Sequence, residues 1–219
     1  MKIRIDLKIF VFLFLFYLTN QIKIYLVIMI FCAIHEFGHI AIGLLLKMKI
    51  EKLEILPCGL SISFKVNPKD LNYKIKKGTL LELKKAIVAL SGPIVSIILT
   101  IIYIYIDPTF ITKEEAIYSN ILILIFNMLP IYPLDGGRIL KGILYIEIGN
   151  IKSKKIVNYI SNFTMIIFTI SSSIAVYYFK NIAIFLICIF LWVITLQENK
   201  KFKNDMKIYD LIDLENKKS

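Results

Sequence analysis

IYLVIMIFCAIHEFGHIAIGLLL, residues 24–46, is the stretch on which the fold turns. At helical rise its length covers the roughly 30 Å hydrocarbon core of a bilayer, and nearly all of it is apolar. Inside it stand His35, Glu36 and His39, three ionisable groups that cost free energy at membrane depth and are retained there for a function. Residues four apart share a helix face, so both imidazoles can reach one ion while Glu36 flanks a water beside it. These are the only two histidines in 219 residues, which makes an accidental HExxH pattern improbable. The alternative is a polar patch in which the two rings and the carboxylate satisfy one another.

Outward from this stretch, further apolar runs extend over Ile9 to Leu18, Ala86 to Ile106, Ile117 to Leu134, Tyr159 to Phe179 and Ile182 to Leu196. An apolar content of 58% and a mean hydropathy of +0.72 describe an integral membrane protein rather than a soluble domain. The expected fold is all-α, with about six transmembrane helices in one domain over residues 1–196. A short basic cytoplasmic tail is expected over 197–219, without a CBS or PDZ domain. The first run is short and spans only if Ile3, Ile5 and Leu7 help or the bilayer thins. Its basic flank resembles a signal peptide, yet Thr19-Asn20-Gln21 offers no cleavage site, so it is read as an uncleaved span.

The formal net charge of +11 is a topology signal rather than a nucleic-acid footprint. With both termini cytoplasmic, only Lys23, Lys113 and Lys180 among the 27 basic residues fall on the opposite face. The long loop between the second and third spans alternates over Ser61 to Val66 as a half-buried strand does, after a Pro57-Cys58-Gly59 turn. With Ile50 to Leu56 it predicts a small β-hairpin at the membrane surface. Three scattered cysteines imply no disulfide framework.

A catalytic zinc takes three protein ligands and keeps a position open. No third histidine exists, so the remaining ligand is a carboxylate or a thiolate. Asp135 is the leading candidate, at the end of the Asn127 to Arg138 stretch, where Pro130 and Pro133 break the helix and Gly136 and Gly137 permit unusual turns. Its competing role is to cap a helix or pair with Arg138. Cys32, one helical turn before His35, and Cys58 are weaker candidates, and Glu54 and Glu147 read as interfacial. His35 and His39 fall about 16 and 10 Å from the cytoplasmic end of their span at helical rise, and Asp135 lies toward the same side.

His35-Glu36-Phe37-Gly38-His39, Ser91-Gly92-Pro93 and Asn127 through Gly137, in this order, resemble the site-2 protease family of intramembrane metalloproteases. The resemblance implies zinc held by His35, His39 and Asp135, Glu36 as general base, and substrate or oxyanion contact by Asn127. Lys52 to Pro57 and Leu129 to Gly137 look most like the stage IV sporulation FB-type subgroup. That subgroup implies a multi-pass protein of the bacterial cell or forespore-surrounding membrane, cleaving a membrane-associated substrate such as a sigma-factor precursor. A membrane-protein regulator is a further expected partner, and the charge distribution argues against a nucleic-acid one. The rival readings are a non-proteolytic metal-binding scaffold and an ion transporter. The second requires ionisable groups along several spans, which the sequence lacks.

Overall fold

The computed structural model describes residues 2–56, 59–65, 75–179 and 182–216. In chain order these form β1 (Lys2–Ile5), α1 (Lys8–Leu18), α2 (Ile22–Leu45), β2 (Lys49–Leu56), β3 (Gly59–Lys65), α3 (Ile75–Tyr105), α4 (Lys113–Asn127), α5 (Asp135–Ile148), α6 (Asn150–Phe179) and α7 (Ile182–Asn216). Among them α2, Leu80–Tyr105 of α3 and Asn150–Tyr178 of α6 are long and apolar enough to cross a bilayer. The chain is thus a mostly helical, multi-pass membrane protein with a small sheet. It divides into two compact units, Met1–Met128 and Leu129–Ser219, each with its own interior.

In the first unit α2 packs against α3 and α4. Val27, Phe31 and Cys32 of α2 meet Ala116 and Ile123 of α4, and Leu99 and Tyr103 of α3 close the cluster. The apolar residues that face outward, including Ile24, Ile30 and Phe37 of α2 and Ile94, Ile97 and Ile101 of α3, are more than a third exposed. In water such a surface would drive association, but against acyl chains it costs nothing. At the start of α4, Thr112 and Glu115 form a reciprocal capping box. Glu115 also binds Lys23 Nζ at 2.9 Å, tying the start of α4 to that of α2.

The loop expected to hold a hairpin holds one, β2 antiparallel to β3, but the sheet has a third strand, since β1 pairs parallel with β2. Ile3 and Ile5, counted above as flanks of a helix, belong to this strand. The helix that follows, α1, has only 11 residues. At about 16 Å it is roughly half the length that a bilayer crossing needs. β3 lies alongside α2: Gly59 abuts Cys32, and the Phe64 ring fills the space over Gly43. Five strand steps and eleven helix residues both span roughly 16 Å, so β3 follows α2 past the His35–His39 turn. The predicted alternation holds at Ile62, which is buried, and at its neighbour Ser63, which is exposed. Val66 lies outside the described residues.

In the second unit the run read as one span to Leu134 is interrupted. Pro130 and Pro133 each withdraw a backbone donor, so helix cannot continue across them, and a new helix, α5, starts at Asp135. α6 and α7 pack along a polar seam, where Asn158, Asn162 and Asn199 exchange amide hydrogen bonds and Trp192 Nε1 donates to Thr169 Oγ1. The segment expected as a tail continues α7 as helix to Asn216. It is held on α6 by the Lys154–Asp205 ion pair and by Asn150 Nδ2 donating to Tyr209.

Candidate metal centre

In the first unit His35 and His39 are 2% and 3% exposed, on the face of α2 that packs against α3. Their ring centroids are 5.1 Å apart and nearly perpendicular. His39 Nδ1 lies 2.7 Å from the Val88 carbonyl. A carbonyl only accepts, so Nδ1 carries the proton and the lone pair resides on Nε2, the tautomer of a metal ligand. Pro93 lies within α3 and withdraws the N–H that Ala89 would otherwise receive. The turn it loosens is the one whose Val88 carbonyl serves His39 and also accepts from Ser91 Oγ at 2.6 Å. His35 Nδ1 is 2.8 Å from Ser96 Oγ, a fully buried hydroxyl that can accept from it and fix the same tautomer.

With both Nδ1 atoms engaged, the two Nε2 atoms turn toward one point above Gly92. A Cβ built on Gly92 would stand 2.5 Å from His39 Nε2 and nearer still to His35 Nε2. The glycine keeps open a space bounded by two imidazole nitrogens. Two neutral nitrogen donors converging on one buried gap fit a borderline metal such as zinc. Glu36, next on the helix, is half-buried.

In the second unit Asp135 is 5% exposed and is the first residue of α5. There the helix dipole favours a carboxylate. The two following glycines are buried, and a side chain on Gly137 would collide with the Ile131 carbonyl and the Tyr132 nitrogen, which fixes how closely the first turn of α5 packs on the loop before it. His35 and His39 in the first unit and Asp135 in the second are each buried, and each carries an atom able to ligate a metal. Such a nitrogen, nitrogen and oxygen set fits a divalent metal.

Asn127 ends α4 half-buried, its amide donating to Ile123 O at 3.1 Å. Cys32 is buried against the start of β3, within the apolar cluster. Glu54 pairs with Lys52 on β2, and Glu147 is exposed at the end of α5, in keeping with interfacial roles. Cys58 lies outside the described residues. Sequence reasoning missed Ser96 and the Val88 carbonyl. Ser96 was within reach, four residues after Gly92 and so on the same helix face. A backbone carbonyl has no sequence signature.

Residues 113–171 match the model of peptidase family M50, a segment that includes Asp135 but not the histidines. A zinc metalloprotease of Methanocaldococcus jannaschii is 27% identical over 184 residues, covering 81% of this chain and 49% of that protein. Stage IV sporulation protein FB of Bacillus subtilis is 29% identical over 127 residues, covering 56% of this chain and 41% of that one. The chain therefore spans half or less of the length of these curated relatives. Among solved structures, the site-2 protease from Methanocaldococcus jannaschii shares the fold, with a TM-score of 0.65 at 24% identity over 90% of this chain and 91% of that one. The match over residues 113–171 and the curated relatives make this chain similar to peptidase family M50, and the fold it shares is that of a site-2 protease.

Proposed function

We propose that this chain is an intramembrane zinc endopeptidase, its metal held by His35, His39 and Asp135. The observation that carries the reading is the convergence of two buried Nε2 atoms over Gly92. The buried carboxylate of Asp135 supplies an oxygen donor of the kind the set needs. When bound, zinc supplies Lewis acidity toward a water and toward the peptide carbonyl. The Glu36 carboxylate takes the proton from the attacking water and delivers it to the departing amine nitrogen. The Asn127 amide turns from Ile123 O to hydrogen-bond the carbonyl oxygen as it gains charge.

The substrate is a membrane-associated protein. β3 is an edge strand that follows α2 past the two histidines, and an extended substrate segment adding to it would lie along the same path. Relatedness to stage IV sporulation protein FB supports a role in sporulation, for which the subgroup resemblance suggests a sigma-factor precursor as substrate, with a membrane-protein regulator proposed beside it. Charge asymmetry supports both termini cytoplasmic, a membrane domain over 1–196 and a cytoplasmic extension over 197–219, with six crossings if the bilayer thins around the short α1.

The test is to purify wild type and Glu36→Gln in detergent, measure zinc per chain, and incubate each with candidate membrane-associated substrates. Both should hold one zinc, and only wild type should cleave. Cleavage by Glu36→Gln would overturn the mechanism, and zinc-loaded wild type without activity would favour the scaffold reading.

A further inference from the structure

We infer that Ser161 is a positioning residue for Asp135, acting through the backbone of Tyr132. The inference rests on Asp135 being a metal ligand, as proposed above. Ser161 lies on α6 and is 3% exposed. Its Oγ accepts from Tyr132 N at 2.9 Å and is 3.5 Å from the Pro130 carbonyl, so one hydroxyl touches the Pro130 to Pro133 loop on both sides of Ile131.

The donors of this loop show why the contact matters. Ile131 N donates to Leu129 O and Leu134 N to Ile131 O, while Pro133 has no donor. Tyr132 N is the remaining donor of the loop, and Ser161 is its partner. A buried backbone N–H left unmet costs about 1–3 kcal/mol, enough to make the loop shift toward another acceptor. Such a shift is passed toward Asp135. Between Tyr132 and Asp135 stand only Pro133, whose ring fixes φ, and Leu134, held by its own hydrogen bond. Gly137 packs so closely on the loop that a Cβ there would strike the Tyr132 nitrogen, so the first turn of α5 follows the loop. Ser161 therefore sets where the carboxylate stands relative to an ion whose ligands tolerate displacements of only about 0.2 Å.

Titration of the metal-free protein with Co2+, followed by visible absorption, tests this without using catalysis. Ser161→Ala should weaken Co2+ binding by about 10–100-fold, as loss of a supporting hydrogen bond does, and should change the absorption band. Ser161→Thr, which keeps the hydroxyl, should restore both. Ser172→Ala, which removes another buried hydroxyl of α6 bonded only within its own helix, should leave both unchanged. A wild-type titration for Ser161→Ala, or an equal loss in Ser172→Ala, would overturn the inference. Asp135→Asn separates the two readings. If it titrates like wild type, the ligand assignment fails. If it loses affinity while Ser161→Ala does not, the positioning role alone fails.

Discussion

Replacing Gly92 by alanine puts a methyl group into the gap on which both imidazoles converge. The new Cβ would stand 2.5 Å from His39 Nε2 and closer to His35 Nε2. Ordinary contact is about 3.5 Å, so each ring nitrogen must retreat by about 1 Å, several times the tolerance of roughly 0.2 Å for a metal–ligand distance. A bound metal at 100 times its dissociation constant stabilises the fold by about 2.7 kcal/mol, and a 100-fold weaker site leaves about 0.4 kcal/mol. The methyl group also overpacks the α2–α3 contact, which by itself costs about 1–3 kcal/mol. Gly38→Ala separates the two effects, because its Cβ would press on α3 at Val95 Cγ2, 2.7 Å away, and at the Ser91 carbonyl, 3.0 Å away. Thermal unfolding in detergent with and without zinc, together with zinc content after dialysis, gives the readout. Both variants should melt earlier when metal-free. Gly38→Ala should keep its zinc-dependent stabilisation, and Gly92→Ala should lose nearly all of it. Full zinc occupancy and an undiminished zinc shift in Gly92→Ala would refute the geometry of the site.

Other perturbations test neighbouring parts of the molecule. Ser96→Ala removes the 2.8 Å partner of His35 Nδ1 and should weaken zinc binding by about 10–100-fold in competition with a chelator, with little loss of secondary structure. Glu115 is held below its ordinary carboxylate range, first by the side-chain hydrogen bond from Lys23 and next by the Thr112 backbone N–H. Its contribution to stability is therefore present above the ordinary glutamate pKa of 4.5 and is lost as pH falls through the lower folded value. Melting temperature followed from pH 6 downward should fall less steeply in Glu115→Gln than in wild type, and high salt should shrink the difference. Asn199→Leu breaks the amide exchange between α6 and α7 and should destabilise the second unit by about 1–2 kcal/mol, measured by denaturant unfolding in mixed micelles.

The sequence by itself carried the membrane class, the metal chemistry and the hairpin, because each is written in a local period or spacing. A long apolar stretch cannot be stable in water, and His35 and His39 four apart must share a helix face whatever surrounds them. Alternation over the Ser61 strand likewise fixes which residues face inward. The proline pair around Ile131 announced a break in the fourth apolar run, though not that a separate helix would begin at Asp135. Other features depend on which segments meet, and no local pattern encodes that. β1 is a strand only because β2 offers it an edge, so Ile3 and Ile5 read equally well as helix until the pairing is known. The segment after Leu196 is polar enough to pass for a loose tail. It stays helical because Asp205 and Tyr209 find partners on α6 more than fifty residues earlier. A carbonyl on another helix sets the tautomer of His39, a hydroxyl there engages Nδ1 of His35, and the room for an ion is set by the missing side chain of Gly92. Sequence spacing named the histidines because helix geometry is local. Only the packing of α3 against α2 decided where their nitrogens point.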